Sequence, residues 1–391
     1  MKKSLLALAV LGAFAGVASA QSSVTLYGTI DLNGRYVKND GSDSRLSLSQ
    51  DGINSSQLGF RGIEDLGGGL KAGFVLLSGV NADTGTSNAK FWNRKATVSL
   101  MGGWGEVRLG RDYVPTFWNN TIFDAFGTNG LGDSTHVQQF GSPFSYGLNG
   151  ANVPTAAQAA AIAQVSNFNQ TFVRADNSIG YFLPANLGGF YGQFMMAASE
   201  GAASPVSNST GGNVGRYIGG RLGYAAGPFD VAAAYSQQRI DRLGSTQDTW
   251  NIGGSWDFGF MKLMGYYDYD KASGGSLGVN PKENRFSIST AVPIGAGEIH
   301  ASYSASKLDN NLNFNGSSGS KAEQFAVGYV YNLSKRTALY TTGSWLNNTG
   351  TSRNSVVGLT SSLSNVTGSQ TRLPNAGGNS AGYEFGIRHF F

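Results

Sequence analysis

Hydrophobic and polar side chains alternate along this chain from end to end. In "VTLYGTIDLNGRY" Val24, Leu26, Ile30 and Leu32 share one face, while Thr25, Tyr27, Thr29, Asp31, Asn33 and Arg35 share the other. "WNIGGSWDFG" sets Trp250, Ile252, Trp256 and Phe258 against Asn251, Ser255 and Asp257. "EIHASYSAS" and "QFAVGYVYNL" repeat the pattern. A period of two places successive side chains on opposite faces, which is strand geometry. Runs of this kind predict sixteen strands, near 22–38, 54–65, 69–80, 89–101, 105–112, 170–184, 188–199, 214–225, 228–240, 246–258, 260–271, 283–294, 297–308, 321–334, 336–347 and 381–391. The connections alternate between short ones, such as "LGG" at 66–68 and "GA" at 295–296, and long ones, such as 39–53, 113–169 and 348–380.

That alternation predicts an up-and-down antiparallel sheet, and closure is the complete way to hide its edges. Sixteen strands enclose a lumen too wide to fill with side chains, so the inner face must be the polar one. The apolar face then points outward. In water it would be an aggregation surface; against lipid it is stable, because a closed barrel pairs every backbone group within the protein. The expected fold is all-β: a 16-stranded antiparallel transmembrane β-barrel. Runs of about eleven residues suit tilted strands crossing a bilayer. Trp92, Tyr267, Tyr269 and Trp345, near strand ends, would form the interfacial girdle.

Composition agrees. Charged residues are 13% of the chain, about half the usual share. "MKKSLLALAVLGAFAGVASA" has two lysines, a short apolar run and a small-residue end, so residues 1–20 read as a secretory signal peptide and 21–391 as one barrel domain. No later apolar run is long enough for a helical span. There is no Cys, so an exported chain here is built without disulfides. The formal net charge is +4, with acids and bases interspersed and no run of five basic residues, which argues against nucleic acid as a partner. No Cys and three scattered histidines (His136, His300, His389) argue against zinc and against catalysis. "LGGGLKAG" lies between two strands, so it reads as a turn and not as a phosphate loop.

The motifs "SSVTLYGTID" (22–31), "LGFRGIEDLGGGLKAGF" (58–74), "GEVRLGRDYVP" (105–115), "RADNSIGYFLP" (174–184), "LSKRTALY" (333–340) and "GIRHFF" (386–391) follow one another along the chain. Together they resemble the general porins of the Gram-negative outer membrane, and more closely the trimeric porins of beta-proteobacteria of the Burkholderia, Bordetella and Neisseria type. The resemblance implies a passive, water-filled channel for small hydrophilic solutes and ions, built as a homotrimer in the bacterial outer membrane. It implies contact with outer-membrane lipid and lipopolysaccharide, and no cofactor. It also implies that the terminal strand, ending on Phe391, is the signal read by the barrel-insertion machinery.

In that family the long third loop folds into the barrel and narrows it. Carried over, the loop is 113–169, and its acids Asp124 and Asp133 are candidates for one side of a constriction. Parity along the strands turns Arg35, Arg61, Lys71, Lys95, Arg108 and Arg174 inward as the facing basic wall, and puts Arg94 and Arg111 outward. Fixed cations opposite fixed anions bias which ions enter; the basic excess suggests mild anion preference. The loop departs from the pattern in an Ala-rich insert, 155–165, that suits a short helix, and His389 interrupts the final alternation. A substrate-specific channel is the alternative function, and a hydrolase using His300 a more distant one.

Overall fold

The computed structural model describes residues 23–140, 173–199, 215–239, 246–273, 280–309, 319–358 and 373–391. The expected signal peptide and Ala-rich helix lie outside these. The wall consists of β1 (Ser23–Asn39), β3 (Gln57–Gly67), β4 (Leu70–Asn81), β6 (Lys95–Gly102), β7 (Gly105–Tyr113), β8 (Arg174–Phe182), β9 (Phe190–Ala197), β10 (Tyr217–Ala226), β11 (Phe229–Arg239), β12 (Thr246–Asp257), β13 (Lys262–Ser273), β14 (Lys282–Ile294), β15 (Gly297–Asp309), β16 (Ser320–Asn332), β17 (Thr337–Thr349) and β18 (Ser380–Phe390). Two short strands, β2 (Arg45–Gln50) and β5 (Thr86–Ser87), are added within connections. Each wall strand pairs antiparallel with its neighbours, and β18 pairs with β1, from Thr29 opposite Phe390 to Asn39 opposite Ser380, which closes a sixteen-stranded barrel.

The barrel is inverted relative to a soluble one. On β12 Trp250, Ile252 and Trp256 are exposed, while Gln247, Thr249, Asn251 and Ser255, of the opposite parity, are buried. On β18 Tyr383, Phe385 and Ile387 face out and Glu384 is fully buried. This is the arrangement that a lipid exterior requires. Aromatic rings cluster on the outer face: Trp250 lies 5.4 Å from Tyr267 and 5.7 Å from Tyr269, and Trp345 is exposed. Trp92 sits in a turn instead, packed edge-on to Phe60 and Phe91.

Three local departures matter inside. The strand expected over 54–65 starts only at Gln57, and the preceding connection holds β2, which also pairs with β1. The strand expected from 89 starts at Lys95, so Arg94 precedes it and the parity assigned to it does not apply. On β7 the register shifts between Gly110 and Asp112. Gly110 has φ +121, and a Cβ there would lie 2.1 Å from the carbonyl oxygen of Ala96. Only glycine fits that bulge, and it resets the parity of Arg111 and Asp112.

Candidate functional site

The chain leaves β7 through Val114, in an extended conformation, and enters helix α1 (Pro115–Ile122) with proline in its first turn, where the missing N–H costs nothing. Two 3-10 turns follow, Gly130–Gly132 and Ser134–Val137. The segment's apolar side chains pack on small and apolar wall residues at lumen-facing positions. Phe123 meets Ala232 and Tyr266; Leu131 and Val137 meet Val37, Ala322 and Leu346. A Cβ on Gly253 would lie 2.3 Å from the Phe123 ring.

Its polar groups bond to the same polar wall face. Asn119 donates to Ala232 O (3.1 Å) and Asn251 Oδ1 (2.8 Å) and accepts from Arg221 (2.6 Å). Gln139 and Phe140 donate backbone N–H groups to Glu283 (2.8 and 2.7 Å). Gln324 donates to Leu131 O (2.7 Å), and Tyr266 to Ser134 Oγ (2.9 Å). Buried backbone groups without helix or sheet partners are costly, and here the wall supplies the partners.

Beside this segment lies a cavity of about 810 Å³. Arg61, Arg94, Lys95 and Arg174 line it, as do Asp124 and Asp133. Tyr113 organises the cations. Its hydroxyl accepts from Arg94 (3.1 Å) and Arg174 (3.0 Å), and its ring lies 4.5 Å from the Arg174 guanidinium and 5.7 Å from Lys95 Nζ. Lys95 also pairs with Asp112 at 2.8 Å. Arg61 is exposed, stands 5.5 Å from the Tyr27 ring, and has no ion pair among the described residues. Arg94 and Arg174 likewise have no carboxylate partner there.

The two acids are occupied by their own segment. Asp124 accepts from Phe126 N (3.1 Å), Thr128 N (3.3 Å) and Ser134 Oγ (2.8 Å). Burial, with Asp133 nearby, raises its carboxyl to about 6. Asp133 accepts from both the N–H and the hydroxyl of Thr135 at 2.7 Å. His136 lies 3.7 Å from Asp133, and burial pushes its imidazole below the usual value.

The other expected basic residues stand apart from the cavity. Arg35 pairs with Glu384 at 2.7 Å. Arg108 is held between Glu106 (2.8 Å) and Asp112 (2.6 Å) and stacks on Phe182. Lys71 is exposed beside the 66–69 turn, opposite Asp65 and Met101. Arg94, expected to face outward, lines the cavity; its place just ahead of β6 is the signal that strand parity overlooks. Arg111, also expected outward, bonds Asn93 O and Asp176 (both 2.6 Å). His300, the candidate of the hydrolase alternative, bonds Glu298 and packs edge-on 5.5 Å from Phe126, with no serine hydroxyl among its hydrogen-bond partners in the described residues.

Phe391 ends the chain against β1. It exchanges backbone bonds with Gly28 (3.1 Å each way), and its ring covers the space where a Gly28 side chain would lie.

Comparisons with known proteins agree with this geometry. A family model described as Gram-negative porin matches residues 7–351. Outer membrane porin protein 32 of Delftia acidovorans is 39% identical over 398 residues, covering 100% of both chains. An outer membrane porin protein of Bordetella pertussis is 33% identical over 399 residues, covering 89% of this chain and 95% of the relative. The solved structure of an anion-selective porin from Comamonas acidovorans superposes with a TM-score of 0.74 at 35% identity, covering 95% of this chain and 100% of that one. An outward apolar face, a closed sixteen-stranded wall and these relatives lead to one conclusion: the chain belongs to the Gram-negative porins, passive channels of the outer membrane.

Proposed function

We propose that this porin is weakly anion-selective, that residues 114–140 lie across its lumen as the constriction, and that Arg61, Arg94, Lys95 and Arg174 form the charged wall that solutes pass. The observation that carries the reading is the imbalance around the cavity. Three of its four cations lack a carboxylate partner among the described residues, whereas both acids are engaged by donors of their own segment. A permeating anion therefore meets open guanidinium groups, and a cation meets carboxylates already satisfied. The relatives' anion-selective member supports the same sign.

The reading includes export after removal of residues 1–20, assembly as a homotrimer in lipopolysaccharide-bearing membrane, and Phe391 as part of the signal for barrel insertion. Arg35, Lys71 and Arg108 fall outside the proposed wall, because none of them lines the cavity: Arg35 and Arg108 are paired elsewhere and Lys71 stands at the turn end of the barrel.

The test is the reversal potential across a planar bilayer separating two KCl concentrations. A sign showing chloride more permeant than potassium is expected; the opposite sign refutes the selectivity. Stepwise conductance without saturation by chloride is expected of a passive pore.

A further inference from the structure

Six residues of the wall stand opposite two. β2 ends with Gln50 opposite Leu32, and β3 begins with Gln57 opposite Thr29, so residues 51–56 face only Ile30 and Asp31 of β1. The surplus chain leaves the sheet as a ledge, and Ile53, Asn54 and Ser55 on it line the cavity.

One residue holds the ledge. Asp31 is fully buried at a lumen-facing position. Its carboxylate accepts from Gly52 N (3.2 Å), Ile53 N (2.9 Å), Asn54 N (2.8 Å) and the Tyr340 hydroxyl. Its backbone ties both ends: the carbonyl accepts from Asp51 N (3.2 Å) and Ser56 Oγ (3.1 Å), and the N–H donates to Ser56 Oγ (3.0 Å). No ion pair to Asp31 occurs among the described residues, and its carboxylate oxygens are held by N–H and O–H donors. Such charge-assisted bonds are about twice as strong as neutral ones.

The tip of the 114–140 segment seats on the ledge. Gly130 has φ +61, and a Cβ there would lie 2.0 Å from Gly52 O and 2.6 Å from Glu384 Oε1. Leu131 N donates to Glu384 (3.2 Å), and Ser55 Oγ to Asn129 Oδ1 (2.9 Å). Glu384 in turn pairs with Arg35, which donates to the carbonyl of Gln50 at the root of the ledge (3.2 Å). Asp31 and Glu384 thus stand on β1 and β18, the two strands whose pairing closes the barrel.

We infer that Asp31 and Glu384 are positioning residues for the constriction: the closing seam shapes the 51–56 ledge, the ledge seats the 129–131 tip, and pore width is set from the seam. The inference rests on the proposal that 114–140 narrows the lumen.

Single-channel conductance and the size limit for neutral sugars, measured on the purified protein in planar bilayers and liposomes, test it. Heat-modifiable electrophoretic migration reports whether the barrel is intact. Asp31→Ala removes the acceptor of three backbone donors; with the barrel intact, conductance is expected to rise and the size limit to be lost for sugars that the unmodified pore excludes. Gly130→Ala leaves the Asp31 carboxylate and its donors in place, pushes the tip off Gly52 O and Glu384, and is expected to change both in the same direction. The chain has no Cys, so Ser55→Cys with Asn129→Cys can be bridged selectively by a short, reducible bifunctional thiol reagent; in the Asp31→Ala background, cross-linking is expected to restore the narrow pore and reduction to release it. Unchanged conductance and size limit in an intact Asp31→Ala barrel overturn the inference. Where that variant fails to close, Gly130→Ala decides, and an unchanged pore overturns the inference equally. A pore whose conductance and size limit stay unchanged when residues 124–134 are shortened would instead sink the constriction reading itself.

Discussion

At the scale of single residues, selectivity depends on which charges remain uncompensated. Arg174 and Arg94 share a neutral phenol, Tyr113, and leave their charge facing the cavity. A unit charge about 4 Å from a permeating ion in water is worth about 1 kcal/mol, which is about fivefold in that ion's permeability and of opposite sense for chloride and potassium. Arg174→Ala and Arg94→Ala are each expected to lower the chloride-to-potassium ratio severalfold at low salt. Lys71→Ala, beside the turn, is expected to leave the reversal potential unchanged. Asp124 adds a pH dependence. Its carboxyl lies at about 6, raised from 3.8 chiefly by burial. Below 6 it is neutral and the cavity is more positive; above 6 it carries a charge. Anion preference is therefore expected to fall as pH rises from 5 to 7, and Asp124→Asn should abolish that fall. The folded form binds the extra proton, so docking of the segment is favoured below the unfolded value and weakens between about 4 and 6. Reversal potentials taken across this range check the first sign; protease susceptibility of the segment checks the second.

Individual strands explain what the sequence did and did not disclose. A strand between lipid and water must alternate, so β12 to β18 could be read almost to their ends: 297–308 was expected where β15 runs Gly297–Asp309. Position within the lumen followed only while alternation persisted. It failed at 51–56, where "DGINSS" leaves the sheet, and at Arg94, which lies just outside its strand. It also failed to separate Arg61 from Arg35 and Arg108, because all three face inward and only tertiary contacts decide which are paired. Glu384, Glu106 and Asp112 are ordinary strand acids in the sequence; their effect is to neutralise half of the expected basic wall. The seam between first and last strands carries a prediction of its own. A Cβ on Gly28 would lie 2.3 Å from the Phe391 ring and 2.6 Å from the carbonyl oxygen of Gln57. The ring can swing away, but the backbone oxygen cannot move without disturbing the β1–β3 ladder. Gly28→Ala is expected to destabilise the barrel by about 1–3 kcal/mol, the usual cost of overpacking. A lower temperature for loss of compact migration in detergent is the measure, and an unchanged temperature would show that the seam has slack.

For the whole molecule, polarity and charge act at different ranges. The exposed Tyr383, Phe385, Ile387, Trp250 and Phe325 belong to an outward apolar face, which is stable against lipid and not against water. The formal excess of charge is small, +4 over the entire chain with Lys2 and Lys3 of the expected signal peptide included, so no strong field of the molecule at large directs ions. Preference must come from the few open guanidinium groups around one cavity. These are near any ion that passes, yet the gap is aqueous, and screening reaches into it. The Debye length is about 10 Å at 0.1 M salt and about 3 Å at 1 M. At the lower strength it exceeds the ~4 Å of close approach between a permeating ion and a guanidinium; at the higher it does not. Anion preference is therefore expected to be clear at 0.1 M KCl and to fade toward unity as the mean concentration approaches 1 M, while single-channel conductance keeps rising with salt. A preference that persisted undiminished at 1 M would mean that ions are stripped of water and bound in sequence at a dry site, and the channel would then have to be regarded as a binding pore rather than a diffusion pore.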